Sequence, residues 1–295
     1  MIILLLMIPQ MFWGTTYAVT QFGFESWPTF ALGVLRALPA GLILLALKPT
    51  WPQRRYWKPL FINAVVNIGA FFTCIFIAAQ TLPAGFAAVG SATTPMFAMI
   101  INHFRGEAAP AKRQIAAALL MLTAATLLFN PAQGEVNLIG VAAMVIGILL
   151  ILFGSLCAKT LIAELGWWQV LVWQLILGGL MLVPFAAWQW WQSPPSVTFS
   201  RQLFGSATWL VIANTMIAYS AFLYLLRKAT ILQLAFAGIA NPLAGIAAGA
   251  ILMSEQFEFY QYGLMALMLI CALLAQLKPN QNRWKTKELS GSEAQ

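Results

Sequence analysis

Ten hydrophobic runs, each about long enough to cross a bilayer, fill this chain almost end to end. A hydrocarbon core about 30 Å thick is spanned by roughly 20 apolar residues of helix. Backbone donors and acceptors inside lipid must be satisfied within the spanning structure itself, so runs of this kind fold as helices packed side by side. We place them at roughly 3–23, 29–47, 59–80, 84–104, 113–130, 138–160, 167–190, 204–226, 230–252 and 259–277. Pro28, Pro59, Pro83 and Pro110 stand at or just before helix starts, where a missing N–H costs least. Pro9, Pro39, Pro95, Pro184 and Pro242 fall inside spans and should kink them or free carbonyls. With 61% of residues hydrophobic and 8% charged, an ordinary soluble domain is excluded.

The loops between the runs alternate in charge. One set carries Lys48, Arg54, Arg55 and Lys58; Arg105, Lys112 and Arg113; Lys159; Arg227 and Lys228; and the tail's Lys278, Arg283, Lys285 and Lys287. The other set carries Arg201 with Glu25, Glu135, Glu255 and Glu258. By the positive-inside rule the first set and both termini are cytoplasmic. The net charge of +8 therefore records orientation and contact with anionic lipid, and implies no nucleic-acid partner. The opening MIILLLMIPQMFWG lacks a basic leader region and reads as a retained first span rather than a signal peptide. The stretch 279–295 is polar and reads as a disordered cytoplasmic tail.

Ten spans divide as five plus five. An odd number per half sets a second half of similar sequence upside down relative to the first. A shift of 147 positions carries Asn67 onto Asn214 and Pro95 onto Pro242. The same shift carries Phe72 onto Tyr219, Thr73 onto Ser220 and Thr94 onto Asn241. With slightly smaller offsets, Trp13-Gly14-Thr15 meets Phe153-Gly154-Ser155 and Arg36 meets Gln174. Two units follow, residues 1–133 and 134–278.

With Trp13-Gly14 early in helix one, Arg36 in helix two, Pro95 followed by Arg105-Gly106-Glu107 and Pro242 followed by Ser254-Glu255, the chain resembles the drug/metabolite transporter superfamily, in its ten-helix branch of two EamA-type halves. Phe153 departs from that pattern, which often has a tryptophan there. The resemblance implies an all-α membrane protein, two inverted five-helix repeats around a central cavity, with helices five and ten peripheral. It also implies a bacterial inner-membrane exporter of amino acids or related metabolites. Uptake of a vitamin-like or carboxylate nutrient is the alternative.

Several residues are candidates for substrate contact. Arg36 lies well inside helix two, where a cation costs about 2.5–3.5 kcal/mol on insertion scales and must face the bundle. It is either a clamp for an anionic group or a brace between helices; the resemblance, which places an arginine here across very different substrates, favours the brace. Asn67 and Asn214, one per half, suit a polar cavity floor as well as they suit cross-helix hydrogen bonds. Trp13, Tyr17 and Gln21 share one face of helix one with Gln10 and Gly14, an aromatic and polar stripe unlike a lipid face. Trp173 and Gln174 make a similar pair on helix seven, while Trp51, Trp57, Trp167, Trp188, Trp190 and Trp191 read as an interfacial belt. Phe72, Thr94, Tyr219 and Asn241 complete the set, with Pro95 and Pro242 as hinges.

Absences narrow the chemistry. The chain has no aspartate, and its eight glutamates lie at helix ends, loops or tail, so no membrane-embedded carboxylate offers itself for proton coupling. Coupling is then absent, as in a facilitator or exchanger, or runs through Glu25 or Glu255. One histidine, His103, and three isolated cysteines, Cys74, Cys157 and Cys271, offer no metal or disulfide spacing. No H-E-x-x-H or G-x-S-x-G occurs, which leaves little material for an intramembrane enzyme. No charged ring or filter-like loop marks a channel. The expectation is a secondary transporter without cofactor, monomeric or homodimeric, moving a small polar or amphipathic metabolite such as an amino acid or other carboxylate by alternating access.

Overall fold

The computed structural model describes residues 2–24, 26–104, 112–129, 137–195, 199–228, 237–238 and 240–276. Glu25, Arg105, Glu107, Pro110, Glu135, the first residues expected of helix nine and the tail lie outside them.

Among the described residues the regular structure is helical, and it groups into ten rods. We label them α1 (Ile2–Gly14, then Thr16–Gly23), α2 (Thr29–Leu47), α3 (Trp57–Ala64, Val65–Ala70, Phe71–Thr81), α4 (Ala84–Gly90, Ser91–Thr93, Thr94–Phe104) and α5 (Lys112–Phe129). The second half follows as α6 (Leu138–Leu165), α7 (Trp167–Gln192), α8 (Arg201–Thr208, Trp209–Ile217, Ala218–Leu226), α9 (Ala240–Leu252) and α10 (Phe259–Gln276). Six of the rods are long and apolar enough to cross a membrane, among them α2, α3, α6, α7 and α8. The chain is an all-α membrane protein.

Most bounds fall within a few residues of those expected, because hydropathy and proline mark them locally. Helix α6 differs. It runs to Leu165 rather than 160, and Gly166, at φ +79°, turns the chain into α7. The added turns carry Glu164 to the Tyr56 hydroxyl, which donates to the carboxylate at 2.6 Å. Only glycine adopts that backbone region without strain.

The rods bury most of their inward side chains in two large sets, with a third small one at Leu6, Leu225 and Ala237. Helices α1, α3, α4, α5, α6, α9 and α10 contribute to one, with Tyr17, Phe86 and Met121. Helices α1, α2, α3, α6, α7 and α8 contribute to the other, with Phe24, Phe72 and Tyr219. Outside, Leu119, Ile139, Phe153, Phe185 and Ile251 are exposed and form part of the lipid face. Phe153, matched with Trp13 in the repeat, thus points outward where Trp13 packs inward.

Helices α3 and α8 each contain a π-helical stretch, Val65–Ala70 and Trp209–Ile217. Moved by 147 residues, the first falls on positions 212–217, inside the second. A wide turn misaligns the hydrogen-bond ladder and is frequent at functional sites. Here it sets Asn67 and Asn214 inward in both halves.

Candidate functional site

Each π-helical stretch is met by a polar side chain from the opposite half. Arg36 of α2 donates through Nε to Thr215 Oγ1 of α8 at 3.2 Å. Gln174 of α7 accepts at Oε1 from Asn63 Nδ2 at 3.0 Å and Asn67 Nδ2 at 2.9 Å, both on α3. These contacts are counterparts under the repeat, since Arg36 matches Gln174 and the two π-helical stretches match each other. Their chemistry is unequal.

The Gln174 side is sealed. Asn63, Asn67 and Gln174 are all at most 2% exposed, and Gly154 of α6 closes on Asn67 so tightly that a Cβ there would lie 2.6 Å from Asn67 Oδ1. Asn63 Oδ1, Asn67 Oδ1 and Gln174 Nε2 have no partner among the described residues. Removing only Gln174 would strand both asparagine donors as well. Gln174→Leu should therefore lower stability by about 1–3 kcal/mol in a detergent unfolding titration. Replacing Asn63, Asn67 and Gln174 together by leucine should recover most of that loss, because no amide is then left unpaired.

The Arg36 side is aromatic. Its guanidinium lies over the Phe72 ring at 4.4 Å, and Phe72 meets Tyr219 edge-on at 6.0 Å. Trp13 packs on Tyr219 at 4.8 Å and on Phe222 at 5.0 Å, and its Nε1 donates to the Asn214 carbonyl at 3.0 Å. Thr16 Oγ1 donates to Asn214 Oδ1 at 2.7 Å, and Asn214 Nδ2 donates to Thr15 Oγ1 at 3.3 Å. Tyr17 and Tyr219 are both buried in the neighbourhood of the guanidinium. Arg36 is 2% exposed and is the one charged side chain buried among the described residues. No carboxylate pairs with it there, and beyond Thr215 no acceptor among the described residues takes its N–H groups. Its nitrogens are nonetheless not among the sealed, unpaired atoms of the interior.

The expected residues thus separate into groups. Trp13, Tyr17, Arg36, Phe72, Asn214 and Tyr219 come together; Asn67 and Gln174 belong to the sealed triad. On the crossing of α4 and α9, Asn241 Oδ1 accepts from Ser91 Oγ at 3.1 Å, and Thr94 Oγ1 donates to Ser91 O at 2.6 Å. Pro95 follows the 3-10 turn Ser91–Thr93, and Pro242 is buried near the start of α9. Trp173 packs instead against Trp51 and Trp57 and donates to Thr50 O at 2.9 Å, close to the loop joining α2 and α3. Asn63, Thr16, Thr215, Ser91 and Phe222 were not anticipated. Asn63 stands one helical turn before Asn67, a readable signal; hydroxyls beside apolar residues carry none.

Residues 1–130 match the EamA-like transporter family. They belong to it. Similar proteins extend the likeness over most of the chain. Protein PecM of Dickeya dadantii is 29% identical over 88% of this chain and 84% of its own length. The uncharacterized inner membrane transporter YedA of Escherichia coli is 24% identical over 90% and 87%. An uncharacterized transporter of Archaeoglobus fulgidus is 20% identical over 83% and 87%. A solved crystal structure shares the fold with a TM-score of 0.66 at 14% identity, covering 92% of this chain and 95% of that one. The EamA-like match thus covers the first half of this membrane protein, and the similarity to these relatives runs through both halves.

Proposed function

We propose that this chain is an inner-membrane secondary transporter that moves a small carboxylate-bearing metabolite, an amino acid or related acid, by alternating access. The observation that carries the reading is Arg36: a cation buried to 2% exposure, bonded to one neutral hydroxyl and without a carboxylate partner among the described residues. A guanidinium in hydrocarbon is costly unless it finds an anion or water. Its planar fork matches a carboxylate through two parallel N–H bonds. Phe72 lies against it, Tyr219 and Trp13 extend the aromatic surface, and that surface suits an apolar or aromatic substituent. A strongly cationic substrate would meet this charge unfavourably.

The basic loops set both termini in the cytoplasm, and the repeat frames residues 1–133 and 134–278 as opposed halves. Inner-membrane placement follows the name of the YedA relative. Export is the direction the family resemblance supports. The test is to compare metabolites inside and outside cells that overproduce or lack the protein, then to load proteoliposomes with the acids that change. Saturable counterflow of a carboxylate, competed by other carboxylates and not by the matching amine, is expected. Linear, non-saturating flux, or preference for the amine, would overturn the reading.

A further inference from the structure

The poorly charged end of the bundle carries a contact that the site above does not use. Glu255, in the turn between α9 and α10, lays its carboxylate on the start of α4. Oε1 accepts from Ala84 N at 2.5 Å and Oε2 from Gly85 N at 2.9 Å. These two N–H groups are among those a helix start leaves without internal partners, and Pro83 before them has no N–H. The turn is shaped for the reach. Ser254 adopts φ +53°, a conformation costly for a residue with a side chain, and Glu255 N donates back to Gly249 O at 3.3 Å.

The helices beneath are spaced for this contact. A Cβ on Gly249 would overlap the Glu255 carboxylate and lie 3.3 Å from Gly85 N, and a Cβ on Gly85 would strike Phe257 at 2.6 Å. Phe257 stacks on Phe86 with ring centroids 5.5 Å apart and planes 22° from parallel. Next to this junction opens an uncharged recess of about 560 Å³, lined by Thr20, Gln21, Gln80, Gln202 and Ser254 among others. One crossing deeper, α4 and α9 meet again at Ser91 and Asn241. The Glu255 contact therefore ties the two halves across the line along which α4 and α9 must part to open the interior from this end.

We infer that Glu255 is a latch holding the extracytoplasmic side shut, released as a unit when the carrier turns outward. A packed apolar contact weakens gradually as helices separate. A carboxylate on two backbone N–H groups is made or broken within a short displacement and leaves water to satisfy both sides. This gives the gate two discrete states, as alternating access requires. The inference rests on the transporter reading, but not on the substrate being a carboxylate.

The test uses the full chain with its three cysteines replaced, carrying Ser91→Cys as reporter, in right-side-out and inverted membrane vesicles. A membrane-impermeant maleimide is added, and labelling rates are compared with and without Glu255→Ala. The expected result is reciprocal: labelling from the extracytoplasmic side rises by about tenfold while labelling from the cytoplasmic side falls. Glu255→Gln, which keeps an acceptor and loses the charge, should lie between. Gly249→Ala, which displaces the carboxylate without removing it, should reproduce the Glu255→Ala shift. Unchanged rates, rates that rise together from both sides, or a Gly249→Ala protein that labels like the parent would each overturn the latch. Because labelling is read without substrate, its failure is separate from any failure of carboxylate counterflow.

Discussion

Arg36→Gln should abolish saturable carboxylate counterflow in proteoliposomes while the protein still inserts and purifies as a folded species. The glutamine keeps polarity but is two bonds shorter and loses the charge and the paired N–H fork. Charge-assisted hydrogen bonds are worth about 1.5–3 kcal/mol each, so losing two from the bound complex costs roughly 100- to 10,000-fold in affinity. Arg36→Lys should fall between, since a point charge keeps the Coulomb attraction and gives up bidentate geometry. The measurement is the concentration dependence of counterflow, with detergent melting as the control for folding. Transport undiminished in a folded Arg36→Gln protein would reduce Arg36 to a brace between α2 and α8 through Thr215.

Gly14→Val should be nearly as damaging by a different route. Gly14 of α1 presses against α9, where an added Cβ would run into the Asn241 carbonyl and come within 3.0 Å of Ala244 Cβ. The obstacle is backbone, so no rotamer change relieves it, and the helices must move apart. Overpacking of this kind costs about 1–3 kcal/mol. The displacement also levers Trp13 off the Asn214 carbonyl and shifts Asn241 from Ser91. A lowered melting temperature with near-complete loss of transport is expected. Gly205→Ala on α8, where a Cβ would meet nothing within 4 Å, should leave both unchanged or raise stability slightly. Equal behaviour of the two variants would show that the α1–α9 approach is not what holds the site in register.

The helix pattern and the opposing charge of the loops were readable because both are local: a run of apolar residues and a lysine beside it need no partner to be recognised. The expectation of a repeat arose for a related reason. Asn67, Asn214, Pro95 and Pro242 stand out against apolar neighbours, and they return at one spacing. The matching π-helical stretches in α3 and α8 give that spacing a backbone counterpart. The roles of the matched residues were not readable. Asn67 and Asn214 are equivalent along the chain, yet Gly154 and Gln174 seal one while Thr16 and Trp13 hold the other beside the aromatic group.

By itself, then, the sequence determined an all-α membrane protein of roughly ten helices and the family resemblance, and it supplied the expectations about loop orientation and opposed halves. Only the tertiary structure decided which polar groups face one another: Arg36 with Thr215 and Phe72, Gln174 with Asn63 and Asn67, and Glu255 with the start of α4. The physical reason is that hydropathy is a property of a segment, whereas hydrogen-bond and ion partners inside a membrane are chosen between segments far apart in sequence. Small differences such as a glycine on one neighbouring helix settle which partner comes within reach.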